Sequence, residues 1–329
     1  MELFVYHQVP EVNSLFCAEA GTSNRGKGID EEHPMRLTSQ TITLRYTTEV
    51  AMRLTIAEIL KKKEKKEKIV MLTAYDYTFA PIVDAAGVDI ILVGDSMANV
   101  ALGMASTTEI SLDEMVNHST AVVKGSKRAM VIGDMPYCAY QTNPDDAVES
   151  ARRFIHEAGC QAVKLEWFEH ALEVTEQIVR NNIPIMGHIG FTPQTADKLG
   201  DSKVQGKDLE GAQLLIRQAK SLEAAGCFSL VLECVPWQIA KVITDALAIP
   251  TIGIGAGVFC DGQVLVLNDM LGLFKRFTPK FVKIYEDMYG AALTGVQKYA
   301  DEVRKEAFPS EKESFSMKEE EFQKLKNSL

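Results

Sequence analysis

The sequence predicts a (β/α)8 TIM barrel, and three observations carry the prediction. Apolar runs of strand length recur near 69–75, 90–95, 129–134, 162–167, 183–189, 229–234, 250–255 and 263–268. Helical patterns separate most of these runs. Four runs close on an acid: "DIILVGD" on Asp95, "AMVIGD" on Asp134, "AVKLE" on Glu166 and "SLVLE" on Glu233. Continuously apolar strands joined by helical crossovers mark a parallel sheet buried on both faces. Closing that sheet into a barrel sends every strand's C-terminal end to one mouth, which gives the four acids a common location. An open doubly wound sheet is the alternative arrangement of the same elements.

In chain order, residues 1–51 come first. The start "MELFVYHQV" lacks the basic n-region and long apolar core of a signal peptide. No periodicity follows, so a disordered N-terminal extension is expected. The run "LKKKEKKEK" (60–68) reads as the exposed end of a helix that begins near Thr55, because its glutamates and the acidic chain offset its lysines. Residues 52–312 then hold the barrel. The segments "VDAAGVDIILVGD", "IHEAGCQAVKLE" and "LEAAGCFSLVLE" share one grammar: helix, Ala-Gly, short loop, apolar strand, acid. Glycine suits the end of a helix because the residue there often takes a positive φ.

Helix starts are equally marked. Ser111 and Glu114 have capping-box spacing, and Asn143 precedes Pro144 as a cap before a first-turn proline. Ala212, Leu215, Ile216, Ala219 and Leu222 form one apolar helix face. The gap between the seventh and eighth strands leaves little room for a helix. Residues 313–329 read as a charged, solvated tail.

Composition narrows the function. The formal net charge of −10 argues against a nucleic-acid partner. No apolar run approaches about 18 residues, so no membrane span is expected. The six cysteines form no CxxC pair and several lie in apolar contexts, which predicts reduced, buried thiols and a cytoplasmic protein.

Four carboxylates in one low-dielectric mouth repel one another and need shared protons, basic partners or a cation. Oxygen-only ligands at strand ends suit a hard ion such as Mg2+, which takes a few carboxylates, waters and substrate oxygens. Any single acid of the four is equally well explained as a helix cap; the set is not. Lys164 and Glu166 are two apart on one strand and so share a face. They line a pocket or form an internal ion pair. His188 follows an apolar strand between Gly187 and Gly190, which permits close backbone approach to a ligand. The glycines of "TIGIGAG" (251–257) open no helix and carry no dinucleotide fingerprint; tight packing accounts for them equally well.

The motifs "MLTAYDYTFA", "LVGDSMANV", "VKLEW", "GHIGFTPQ", "VQGKD", "LVLECVP" and "AIPTIGIGAG" occur in order between about Met52 and Lys312. Together they closely resemble the ketopantoate hydroxymethyltransferase family. The resemblance implies a barrel of the phosphoenolpyruvate mutase/isocitrate lyase type. It implies transfer of a one-carbon unit from 5,10-methylenetetrahydrofolate to 3-methyl-2-oxobutanoate, giving 2-dehydropantoate for pantothenate and coenzyme A synthesis. It further implies Mg2+ and a ring-like homo-oligomer, often a decamer. By motif, Asp95 and Asp134 resemble the metal pair and Glu166 an outer partner of that metal. Asp95, Ser96, Asp134, Lys164 and His188 resemble keto-acid contacts, and Glu233 the proton acceptor. One departure is Met104-Ala105, where the family carries longer polar side chains before "STTEIS". A Mg-dependent 2-oxo-acid lyase or mutase of the same superfamily is the alternative, and Cys138 would then be its catalytic thiol. A binding scaffold without activity would lack at least one of these groups, and none is missing.

Overall fold

A computed structural model describes residues 53–198 and 204–329. The extension expected over 1–51 lies outside the described residues. Eight strands pair in parallel and in chain order: β1 Ile69–Thr73, β2 Ile90–Val93, β3 Met130–Asp134, β4 Ala162–Glu166, β5 Ile185–Gly190, β6 Ser229–Glu233, β7 Thr251–Ile254 and β8 Gly262–Leu265. β8 returns to β1, so the sheet closes and the open-sheet alternative falls. No described helix is long and apolar enough to cross a membrane.

The helices are α1 Ile56–Glu64, α2 Phe79–Ala85, α3 Met97–Val100, α4 Leu112–Gly125, α5 Pro144–Arg153, α6 Ala171–Arg180, α7 Leu209–Ala224, α8 Trp237–Ala246, α9 Leu267–Met270, α10 Met288–Arg304 and α11 Glu319–Lys326. Their starts follow local chemistry. Ser111 and Glu114 close a reciprocal capping box on α4, and the Asn143 side chain accepts the Asp146 amide ahead of Pro144. Gly159 ends the turn after α5 in the left-handed region, with φ 81°. Between β7 and β8, residues 255–261 run as turns with no helix, as the short spacing predicted.

Two apolar layers hold the barrel. The inner layer stacks Met71, Ile90, Met130, Ile132, Met186 and Val264 inside the strands. The outer layer packs the opposite strand faces against the helices, as with Val131, Val163 and Leu230 against Phe154, Ile178 and Leu222. Period-two alternation produces both layers from one strand. α1 plugs the N-terminal end of the barrel. Ile59 is fully buried against the inner layer, which is worth about 1.5–3 kcal/mol.

The lysine run is not simply a solvated face. Lys62 reaches Asp89 at 3.1 Å and Lys63 reaches Asp261 at 2.8 Å, acids that precede β2 and β8. These partly exposed pairs contribute up to about 1 kcal/mol each, so Ile59 holds the plug and the lysines orient it. At the other end of the chain, α10 and α11 carry no buried residue.

Gly133 of β3 is a close-packing position. A Cβ there would stand 2.3 Å from Cδ1 of Phe154, which is fully buried in the single π-helical turn Phe154–Ala158. Gly133→Ala should therefore destabilise the barrel by about 1–3 kcal/mol through overpacking. The urea midpoint should fall with the slope unchanged, and Phe154→Leu should recover part of the loss. An unchanged midpoint in Gly133→Ala would show that the phenyl ring yields freely.

Candidate active site

The inward rows of the barrel change character along the strands. Met130 and Ile132 lead to Asp134; Ala162 leads to Lys164 and Glu166; Met186 leads to His188; Val231 leads to Glu233. Each step of two keeps the side chain on the inside. Register then sets the neighbours: Asp134 pairs with Lys164 across β3–β4, and Glu166 with His188 across β4–β5. The polar layer sits above the apolar one, at the C-terminal mouth.

The contacts run in a chain. Lys164 Nζ donates to Asp134 Oδ1 at 2.6 Å, and the Asp95 amide donates to Asp134 Oδ2 at 3.1 Å. His188 lies between two acids, with Nδ1 3.3 Å from Glu166 Oε1 and Nε2 3.4 Å from Glu233 Oε2. Neither contact has the direction of a full hydrogen bond, so charge rather than geometry binds the ring. Glu166 Oε2 also accepts the Gln194 amide at 3.0 Å. Gln194 Nε2 donates to Asp95 Oδ2 at 2.9 Å and to the Met135 carbonyl at 3.1 Å, while the buried Tyr140 hydroxyl donates to Gln194 Oε1. The Ser96 and Tyr75 hydroxyls are 2.9 Å apart.

Burial sets the protonation pattern. It lowers the tendency of His188 to charge, but Glu166 and Glu233 outweigh it and raise the ring to about 9. Lys164 is held well above its ordinary value: burial opposes its charge, and Asp134, Glu166 and Asp95 together overcome burial. Burial likewise pushes Asp134 and Glu166 upward against Lys164 and His188. Both oxygens of Asp134 already accept donors, so we read it as a carboxylate facing an ammonium.

These groups line one cavity of about 740 Å3, with Ser96, Leu92, Val231 and Ile254 among the walls. Asp95, Asp134, Glu166 and Glu233 set against Lys164 and His188 leave a surplus of two negative charges. The donor set fits a hard divalent cation at Asp95 and Asp134, which offer only oxygens. Glu166 lines the same cavity beside that pair, with Oε2 accepting the Gln194 amide and Oε1 3.3 Å from His188 Nδ1.

Residues 53–311 match the family model described as ketopantoate hydroxymethyltransferase. The chain belongs to the ketopantoate hydroxymethyltransferase family. It is similar to 3-methyl-2-oxobutanoate hydroxymethyltransferase of Syntrophomonas wolfei, with 50% identity over 273 residues, 83% of this chain and 99% of the relative. Solved structures share the fold at low identity. Phosphonopyruvate hydrolase matches with TM-score 0.53 and 10% identity over 84% of this chain and 96% of its own. 2,3-Dimethylmalate lyase, a phosphoenolpyruvate mutase/isocitrate lyase superfamily member, matches with TM-score 0.50 and 12% identity over 84% and 99%.

The barrel brings every predicted site residue of this family member to the one cavity: Asp95, Ser96, Asp134, Lys164, Glu166, His188 and Glu233. Asp95 stands past the end of β2, on the turn into α3, rather than on the strand. The glycines around His188 are closely packed by protein. A Cβ on Gly187 would meet Leu230 at 2.6 Å, and one on Gly190, at φ 98°, would meet the Glu233 carbonyl at 2.2 Å. Cys138 is exposed and does not line the cavity, whereas Cys234 does. Gln194 and Tyr140 were missed. Gln194 ends the motif "GHIGFTPQ", so the signal was present, but neither residue is ionisable at neutral pH and neither stands at a strand end.

His188 supplies a pH test. Its folded value of about 9 lies above the ordinary 6.5. The ion pairing therefore contributes its full stability below pH 6.5 and is lost as pH rises through about 9. The His188 ring signals in NMR should titrate with a midpoint near the raised value, and Glu166→Gln should move that midpoint downward. A wild-type midpoint at 6.5 would break the assignment of an imidazolium between two carboxylates.

Proposed function

We propose that the chain transfers a one-carbon unit from 5,10-methylenetetrahydrofolate to 3-methyl-2-oxobutanoate, forming 2-dehydropantoate, the first step of pantothenate synthesis. The carrying observation is the complete set of alternating charges at the barrel mouth, in a chain of this family. Asp95 and Asp134 would hold Mg2+, which when bound polarises the keto group and makes the neighbouring C–H acidic. Lys164 and the Ser96 hydroxyl face the same space and suit the substrate's carboxylate and keto oxygens. Leu92, Val231 and Ile254 receive its branched alkyl end and keep water from the reacting carbon.

Glu233 is the proposed base. Its side chain retains 17% exposure, against 1% for Glu166, so of the two it presents the more open face to the cavity. His188 holds Glu233 from behind, and its proposed part is to orient this carboxylate more than to touch substrate. Glu233 takes the C3 proton, and the resulting carbanion forms its new bond to the one-carbon unit. The two C–N bonds of the methylene carbon break, the oxygen of water becomes the hydroxyl, and the proton from water and the one taken by Glu233 pass to the two nitrogens of the departing tetrahydrofolate.

We further propose a cytoplasmic homo-oligomer. Tyr289, Leu293, Val296 and Tyr299 are exposed on α10, a face that a second copy would cover. Cys160, Cys227 and Cys260 are free buried thiols, in keeping with a reducing compartment. The lyase or mutase alternative is not favoured, because Cys138 lies off the cavity.

The reading is tested with the purified protein, both substrates and Mg2+, with the product identified by mass; absence of 2-dehydropantoate would overturn it. Glu233→Gln keeps the shape but cannot accept a proton. It should bind the keto acid nearly normally yet lose about two to four orders of magnitude in rate. Exchange of the C3 hydrogen with deuterated water, without folate, should fall in parallel. Native exchange in this variant would assign the base elsewhere.

A further inference from the structure

The cavity is larger than a five-carbon keto acid, and its two sides differ. One side is the charged cluster. The other is mostly apolar and aromatic, with Val100, Leu265, Phe274, Phe277 and Phe281, and Lys280 also lines the cavity. A single acid breaks that apolar side. Asp269, on α9 just after β8, lines the cavity and is 8% exposed. Its Oδ1 is buried with no hydrogen-bond partner, and it stands in no ion pair among the described residues. Burial alone pushes its carboxyl up to about 6.

The carboxylate is held in place. The Leu267 amide donates to Thr73 Oγ1 at 2.9 Å, and the Tyr285 and Met288 amides donate to the carbonyls of Met270 and Leu271 at 2.8 and 3.0 Å. α9 is thus tied to β1 on one side and to the following loop on the other. A fixed, buried acceptor without a donor is a costly feature, and native structures rarely keep one that nothing satisfies.

The chemistry of the two substrates decides which one it meets. The keto acid is an anion with no N–H or O–H donor, so Asp269 repels it. The pyrimidinone ring of the carrier's reduced pterin is flat and uncharged, and it presents a ring N–H beside an exocyclic amino group. Two adjacent N–H donors are the natural complement of a carboxylate, and aromatic walls suit a flat ring. We propose that Asp269 is the pterin-binding carboxylate of the one-carbon carrier, and that it orients the ring against the apolar wall. This rests on the reading of a reduced folate as the donor.

Calorimetry with tetrahydrofolate tests it on the full-length protein. Asp269→Asn should weaken tetrahydrofolate binding about 10- to 100-fold, since a charge-assisted pair is lost. Binding of 3-methyl-2-oxobutanoate in the presence of Mg2+ should stay within about two-fold, which also shows that the variant is folded. A second probe needs no variant: tetrahydrofolate lacking the 2-amino group should bind the wild type about as weakly as Asp269→Asn binds the parent compound. Equal tetrahydrofolate affinity in wild type and Asp269→Asn overturns the role of Asp269 and leaves the donor intact. A wild type that binds the keto acid but no tetrahydrofolate overturns the donor, and this assignment with it.

Discussion

The row of opposite charges across β3 to β6 is the interaction on which the rest of the molecule turns. Asp134 faces Lys164, Glu166 faces His188, and His188 faces Glu233, all inside the barrel. An isolated charge at this depth costs several kcal/mol, and removing one partner of such a pair leaves that cost uncompensated. Strand register carries the pairing. A slip of one residue on β4 would turn Lys164 and Glu166 into the helix layer and bring Val163 and Leu165 inside. The same slip would remove Ala162 from the inner layer. Packing below and electrostatics above therefore demand the same register.

The two ends of the barrel divide the work. At the N-terminal end, α1 supplies a buried isoleucine and two ion pairs, and nothing there opens a cavity in which chemistry is proposed. At the C-terminal end the same strands finish in polar groups around 740 Å3 of open space. Stability and reactivity are thus built from opposite ends of the same inward rows. Glu166 and Glu233 illustrate how finely environment divides similar residues. Both end a strand and both approach His188, but Glu166 is 1% exposed and also accepts the Gln194 amide, while Glu233 is 17% exposed.

Much of this was present in the chain itself. Alternation along "AMVIGD", "AVKLE" and "SLVLE" is local, because side-chain direction along a strand depends only on residue parity. The capping of α4 by Ser111 and Glu114 and of α5 by Asn143 is local for a similar reason: the partners lie three residues apart. Strand order, the missing helix before β8 and the shared mouth followed from those rules together. What the sequence could not contain is any contact that depends on closure. Gln194 reaches Asp95 across 99 positions, and Lys63 reaches Asp261 across 198. The approach of Leu230 and the Glu233 carbonyl to the glycines beside His188 is of the same kind. Asp269 carries no local signal; only the barrel buries its Oδ1 without a hydrogen-bond partner. Periodicity determines which way a side chain points; only the closed barrel determines what it meets, because those neighbours come from segments whose separation in the chain carries no local signal.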